Sequence, residues 1–478
     1  MLGADPEFRS AHRFADAFRT DSAKALAPSQ ISRWENAHTA VDEAAVARYE
    51  TLLQLPRYHL TAVHEASSRF FGHTPVRRSP STDGPRDLHD LLDRACGAAM
   101  TGPDWRRLTR LISDRPGLVL HPLHLWETIA HHLLTELAVA EGDAWLVRQE
   151  AMSVLLEHPA GTDPATAVCI AMADARDSPV VIDPISLLDN SRSPTAARYV
   201  IEQVRQPRSW PAWEGALLAA AAKARRGHFT PAQLADLAAA TSDPAAASAH
   251  PTIAPLVEDV RAVLAHDVRR PVAPEKAAVC RRLGLTAQAG AAADVHEEDT
   301  LFAELIRESL FDHNPDRRLY TGFLIAATPY RQPLAKAIAD ELSRSRGQDR
   351  ALFVERGLRL VSRLRAPQHR VFVRSLLLDA TLSPRARHAA AWASVHSTGR
   401  LDEPTWRSIV ECQLNLCTAR PSPLDEDIVR GLVYSIGTDS HHRLLRHLCT
   451  DARLSTSARR LAGWWDEHPR PLTDPPSQ

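Results

Sequence analysis

Long apolar runs, paired cysteines and lysine are what this sequence is short of, and each shortage closes off a class of protein. No run of about 18 or more apolar residues could span a bilayer. The most apolar stretch, "GALLAAAAKA" (215–224), is too short and carries Lys223. No membrane association is therefore expected. The six cysteines, Cys96, Cys169, Cys280, Cys412, Cys417 and Cys449, are scattered with no C-x-x-C pair. That spacing argues against a disulfide frame or a zinc knuckle and fits reduced, mostly buried thiols. Lysine stands only at 24, 223, 276 and 336 among 57 basic residues, so arginine carries nearly all the positive charge. The formal net charge of −1 gives no global attraction to nucleic acid. Any contact with DNA must come from a local surface. The early acidic residues Asp5 and Glu7, with no basic segment followed by an apolar one, argue against a secretory signal, so a cytoplasmic protein is expected. No phosphate-cradling glycine loop, G-x-S-x-G elbow or kinase-type motif is present. The chain is accordingly expected not to be an enzyme and to need no cofactor.

What remains is helical. The chain has 478 residues, too many for one ordinary compact core, and 44% of them are hydrophobic. Successive runs such as "DWRRLTRLISD" (104–114), "LHLWETIAHHLLTELAVAEG" (123–142) and "AWLVRQEAMSVLLEHP" (144–159) repeat apolar residues at helical spacing between Pro- or Gly-marked turns. Three segments open alike: "SPTAARYVIEQV" (193–204), "SPRARHAAAWASV" (383–395) and "STSARRLAGWWDEH" (455–468) each place a Ser or Thr cap before small residues, arginine and an Ala-rich face. These openings resemble those of HEAT-like helical repeats, which implies a solenoid; an irregular bundle or TPR-like array stays open. The fold class expected is all-α, with a small N-terminal helix-turn-helix bundle and a large helical-repeat body.

The boundary falls in "GHTPVRRSPSTDGPRD" (72–87), where Pro, Gly, Ser and Arg replace apolar residues. The division is then residues 1–72, a linker at 73–87, a body at 88–470 and a tail at 471–478. Pro-rich breaks at 241–255 and 269–275 either halve the body or form long loops. In the first unit, Val41, Ala45, Tyr49, Leu52 and Leu53 share one helix face, and a fourth helix at 58–72 is expected to close the bundle with Leu60, Val63 and Phe70 or Phe71.

The segment "PSQISRWENAHTA" (28–40) carries the functional signal. Ile31, Trp34 and Glu35 fall on a buried side of its helix, while Ser29, Gln30, Ser32, Arg33 and Asn36 point outward. An apolar foot under a face of short hydrogen-bonding side chains and one arginine suits major-groove reading, since Gln can bond adenine in two places and Arg can bond guanine O6 and N7. "SQISRWEN", followed by a Thr and an amphipathic helix ending in "LLQLP", resembles the recognition helix of Xre or lambda-repressor-like helix-turn-helix regulators. The resemblance implies Ser29, Gln30 and Arg33 as base readers, Ile31 and Trp34 as core, Glu35 as a structural partner, and Asn36, His38 and Thr39 in a phosphate-contacting corner. It implies duplex DNA as partner; a homodimer on a two-fold operator is expected because two copies double the contacts, and the concave surface of stacked helices in the body suits a small-molecule, peptide or protein effector. The alternative is a helical scaffold whose N-terminal unit docks on a protein. Residues 1–72 hold eight Lys or Arg against nine Asp or Glu, so one copy alone should bind DNA weakly.

Other clusters read more simply. His124, Glu127 and His131, with His132 and His121 beside them, lack the H-E-x-x-H spacing and are expected to be surface or contact residues, with no metal. "HHRLLRH" (441–447) reads as a basic helix face. "RGLRLVSRLRAPQHRVFVRS" (356–375) is expected to be an arginine-dotted solvated face, with a basic groove as the alternative. Trp105, Trp126, Trp145, Trp392, Trp406, Trp464 and Trp465 are expected in packing.

Overall fold

The computed structural model describes residues 11–18, 27–36, 38–71, 85–97, 100–176, 178, 180–242, 250, 252–266, 274–291, 300–344, 351–366, 369–396 and 400–468. Among these every regular element is a helix. The N-terminal part holds α1 (Ala11–Phe18), α2 (Pro28–Glu35), α3 (Glu43–Leu52) and α4 (His59–Phe71). Then follow α5 (Pro85–Cys96), α6 (Gly102–Ser113), α7 (His124–Val139), α8 (Gly142–Glu157), α9 (Thr162–Asp174), α10 (Ile182–Ser186), α11 (Pro194–Arg205), α12 (Trp210–Arg225), α13 (Pro231–Thr241) and α14 (Ile253–Leu264). The second half of the body runs through α15 (Pro274–Ala291), α16 (Thr300–Phe311), α17 (Pro315–Ala326), α18 (Arg331–Arg344), α19 (Ala351–Leu364) and α20 (His369–Leu377). It ends with α21 (Pro384–Ala393), α22 (Glu403–Ala419), α23 (Asp425–Thr438), α24 (His442–Thr450) and α25 (Thr456–Glu467). Most of the expected linker and all of the expected tail lie outside the described residues, and α5 already begins at Pro85, inside the stretch read as linker.

The body is a solenoid-like double row. In its first half α5, α7, α9, α11 and α13 stack on one another in turn, backed by α6 with α8 and by α10, α12 and α14. In the second, α17, α19, α21, α23 and α25 form one row, and α18, α20 and α22 the other. Ser193, Ser383 and Ser455 cap α11, α21 and α25, accepting from the amides of Thr195, Ala386 and Ala458. Each cap satisfies an amide that the first helical turn leaves without a partner. The small residues after the caps let the rows approach closely. At Gly437 on α23 an added Cβ would lie 2.2 Å from the Trp465 ring of α25, and Trp465 is 1% exposed. Gly437→Ala is therefore expected to cost about 2 kcal/mol through overpacking. Urea unfolding would show it as a lowered midpoint at unchanged slope, and an unchanged midpoint would mean the row can spread.

Two apolar cores correspond to the two halves, one from Leu88 to Val260, the other dominated by residues from Cys280 to Trp465. The change of core falls near the Pro-rich segment 269–275. The tryptophans do the expected packing: Trp105, Trp126, Trp406 and Trp465 are buried, and the Trp105 and Trp406 ring N–H groups donate to Glu136 and Asp439 at 2.8 Å each. The halves also touch directly. The Tyr434 hydroxyl donates to the Ala138 carbonyl, and Asn314 donates to Asp259 at 3.1 Å.

The fourth helix departs from expectation. Rather than closing the N-terminal bundle, α4 is wedged between α8 and α17, with Ala62, Val63, Ala66 and Phe70 in a cluster with Leu146, Val147, Tyr320 and Phe323. Its amphipathic pattern correctly marks a buried face but cannot say which elements bury it.

Candidate nucleic-acid interface

The N-terminal unit is held by few residues. Phe14, Ala15 and Ile31 are buried, ringed by Phe18, Trp34, Tyr49, Leu52 and Leu53. The Trp34 ring lies 5.7 Å from that of Phe18 and 6.5 Å from that of Tyr49. Pro28 opens α2 at a position whose amide would have no helical partner, and the His38 amide donates back to Arg33 O at 2.8 Å as the helix closes. Asp42 then caps α3, accepting from the Ala45 amide at 2.7 Å. Two anchors, Ile31 and Trp34, thus fix the rotation of α2.

That rotation turns Ser29, Ser32, Arg33, Asn36 and His38 to the exterior, and Gln30 and Thr39 are half-buried. Gln30 Nε2 donates to Thr39 Oγ1 at 3.4 Å, while Asn36 Nδ2 donates to Ser32 O at 2.7 Å. Of the expected readers, Arg33 has no protein partner among the described residues, whereas Gln30 must release Thr39 to meet a base. Glu35, expected on the buried side, is exposed, because Ile31 and Trp34 alone fill the space under the helix. The position after "EN", Ala37, and the connection at 19–26 lie outside the described residues.

The residues that sequence reading missed are the ones that hold this unit on the body. Glu50 of α3 is 3% exposed and accepts from the Tyr58 amide at 2.8 Å and from the Thr61 amide and hydroxyl at 3.0 and 3.1 Å. It caps α4 from outside the helix. His59, at the start of α4, bonds Asp143 of α8 through Nδ1 and the Phe323 carbonyl of α17 through Nε2 at 3.1 Å. Burial lowers the His59 pKa, but the Asp143 carboxylate outweighs it and the net shift is upward. From the body, Arg106 reaches Glu65 of α4 at 2.5 Å, Glu43 of α3 at 3.2 Å, and the face of Tyr58 at 5.0 Å; Arg110 adds a 2.9 Å contact to Glu43.

These pairings alter the charge picture. Glu43, Glu50 and Glu65 are all turned into the junction, so three of the nine acidic residues counted over 1–72 are spent on the body and not displayed beside Arg33.

Elsewhere, the histidines of α7 disperse: His124, Glu127 and His131 are exposed, and His132 bonds the Ala95 carbonyl at 2.8 Å. No three His, Cys, Asp or Glu side chains converge as a metal site among the described residues. On α24, His442 meets Asp466 at 3.1 Å. No helix among the described residues is long and apolar enough to cross a membrane.

No family model matches the chain, and no curated protein does. A solved structure that it is similar to is that of human deoxyhypusine hydroxylase in complex with glycerol, at 15% identity and a TM-score of 0.32, covering 70% of this chain and 97% of that one. The expectation that the chain is not an enzyme is corrected on this finding, since the matched structure is a hydroxylase. A likeness this distant carries no reaction, substrate or residue role to the present chain. The stacked double row of helices makes this a helical-repeat protein, with the N-terminal helices docked on the body.

Proposed function

We propose that the chain is a DNA-binding regulator in which α2 enters the major groove and the helical body receives a signal and joins two copies. The observation that supports this reading is the outward polar face of α2, with Arg33 unpartnered among the described residues above a foot of Ile31 and Trp34. Ser29, Gln30, Ser32 and Arg33 read base edges, and Asn36, His38 and Thr39 face the phosphates. The small serines permit close approach, and Arg33 supplies the bidentate donor that guanine accepts. A homodimer on a two-fold operator doubles the contacts and offsets the weak electrostatics of one copy.

Selection of bound genomic fragments with the purified chain is expected to enrich one two-fold motif. Against that motif, Arg33→Ala with Gln30→Ala should weaken binding by roughly 1–3 kcal/mol for each lost base contact and relax preference at the matching positions, with helicity unchanged. Affinity should also fall steeply with salt. If no motif is enriched, or if the double variant keeps full affinity and preference, the DNA reading fails and a protein-docking scaffold takes its place.

A further inference from the structure

The basic run of α19 was expected on a solvated face, yet Arg356, Arg359 and Arg363 are half-buried. Arg356, Arg359 and Arg363 are spaced three and four apart, so they share one face of α19. That face meets α17, where Arg363 Nη1 donates to the Arg318 carbonyl at 3.2 Å. Gly322, one turn further along α17, leaves room for this: a Cβ there would touch Arg363 Cδ at 3.0 Å. The Arg318 guanidinium is fixed on the carbonyls of Asp312 and His313 at 2.6 and 2.8 Å, and that of Arg356 on the Leu310 carbonyl at 3.0 Å. Four guanidinium groups are thereby gathered where α17 and α19 pack, and all four residues are half-buried.

Their charge is poorly matched within the protein. Arg359 has Glu355 at 3.3 Å, and that carboxylate is shared with Arg385 at 2.5 Å. Among the described residues, Arg318, Arg356 and Arg363 have no carboxylate within ion-pair distance. Backbone carbonyls position these three without neutralising them. Burial and the three neighbouring arginines hold the Arg318 pKa well below its ordinary value, and burial with Arg359 brings Arg363 down to about 9. Like charges held together out of bulk water favour an anion that accepts several N–H bonds at once.

We propose that Arg318, Arg356, Arg359 and Arg363 form a binding site for a small molecule carrying two adjacent phosphoryl groups. Phosphate oxygens accept the paired N–H groups of guanidinium, and each guanidinium here has donors beyond those given to carbonyls. One phosphate monoester carries about −1.5 to −2 at neutral pH. That is short of the three guanidinium groups without a carboxylate, whereas two adjacent groups match them. A site set between two packed helices suits a small molecule and not a duplex.

Calorimetric titration of the full chain with inorganic pyrophosphate tests this without DNA, so its result is independent of the function proposed above. Pyrophosphate is expected to bind at one site and raise the unfolding temperature, at ionic strength held constant with sodium chloride. Arg363→Gln and Arg356→Gln should each weaken binding by about tenfold or more, the loss typical of charge-assisted bonds. Arg363→Lys should fall between, keeping charge without the paired geometry. The exposed Arg344→Gln should bind as the parent does. The proposal is overturned by absence of binding at millimolar pyrophosphate, by equal affinity in the folded Gln variants, or by single phosphate binding as tightly as pyrophosphate.

Discussion

Arg106→Ala is expected to free the N-terminal unit from the body while the body stays folded. Arg106 is 9% exposed and bridges carboxylates from two helices, Glu43 at 3.2 Å and Glu65 at 2.5 Å, with its guanidinium over the Tyr58 ring. Replacing such a group leaves Glu65 without this cation and Glu43 with Arg110 alone, and losing charge-assisted bonds at half-buried carboxylates typically costs about 1.5–3 kcal/mol. The loss falls on the junction, because α1 to α3 have their own small aromatic core and the body has two large ones. Limited proteolysis should then cut between α3 and α4, where Gln54 and Tyr58 already hold positive φ of 52° and 68°. Residues other than glycine seldom adopt that conformation, and here the Glu50 bond to the Tyr58 amide helps to hold it. Arg106→Lys should retain part of the effect through charge alone. Equal resistance to proteolysis in parent and Ala variant would show that α4 packing, not the arginine bridge, fixes the unit.

Helix α2 and its scaffold differ sharply in how far sequence reveals them. Ile31 and Trp34 inward with Ser29, Ser32 and Arg33 outward follows from helical period alone, because a helix on a surface has one buried side and the period fixes which residues lie on it. The serine caps of α11, α21 and α25 are equally local. Glu50, Glu65 and His59 could not be placed this way. Their partners are Thr61, Arg106, Asp143 and Phe323, and only the last three are distant in sequence, yet even the short Glu50 to Thr61 contact depends on how the chain turns between two helices. Arginine runs mislead for a related reason. The spacing of Arg356, Arg359 and Arg363 marks a basic stripe but does not tell whether the stripe meets water or another helix; α17 decides that.

A residue visible from the start, the lysine interrupting "GALLAAAAKA", carries the other large effect. Lys223 is 0% exposed within α12, and its ammonium donates to the carbonyls of Leu188, at 3.1 Å, and Ser191. It fastens the turn between α10 and α11, which Arg226 also holds through Asn190 at 2.8 Å. Lys223→Ala should cost about 3–5 kcal/mol, the sum of a cavity and two lost charge-assisted bonds, with the Leu188 carbonyl keeping only the Ser191 amide at 3.2 Å. Lys223→Met should cost clearly less, since it fills the space and removes a buried charge. The two variants separate the cost of an empty volume from that of a lost ammonium. Alkaline titration separates them further. Burial lowers the Lys223 pKa to about 8, with Asp189 opposing and Arg226 assisting, whereas the unfolded chain keeps the ordinary value of 10.5. Between these two values the unfolded state holds a proton that the folded state has released, so the lysine's contribution rises with pH across that window and is complete above it. The stability gap between parent and Lys223→Met should therefore shift in favour of the parent by roughly 2–3 kcal/mol from pH 8 to 10.5. Urea unfolding at several pH values measures it, and a gap that stays constant would mean that Lys223 remains charged in the folded core throughout.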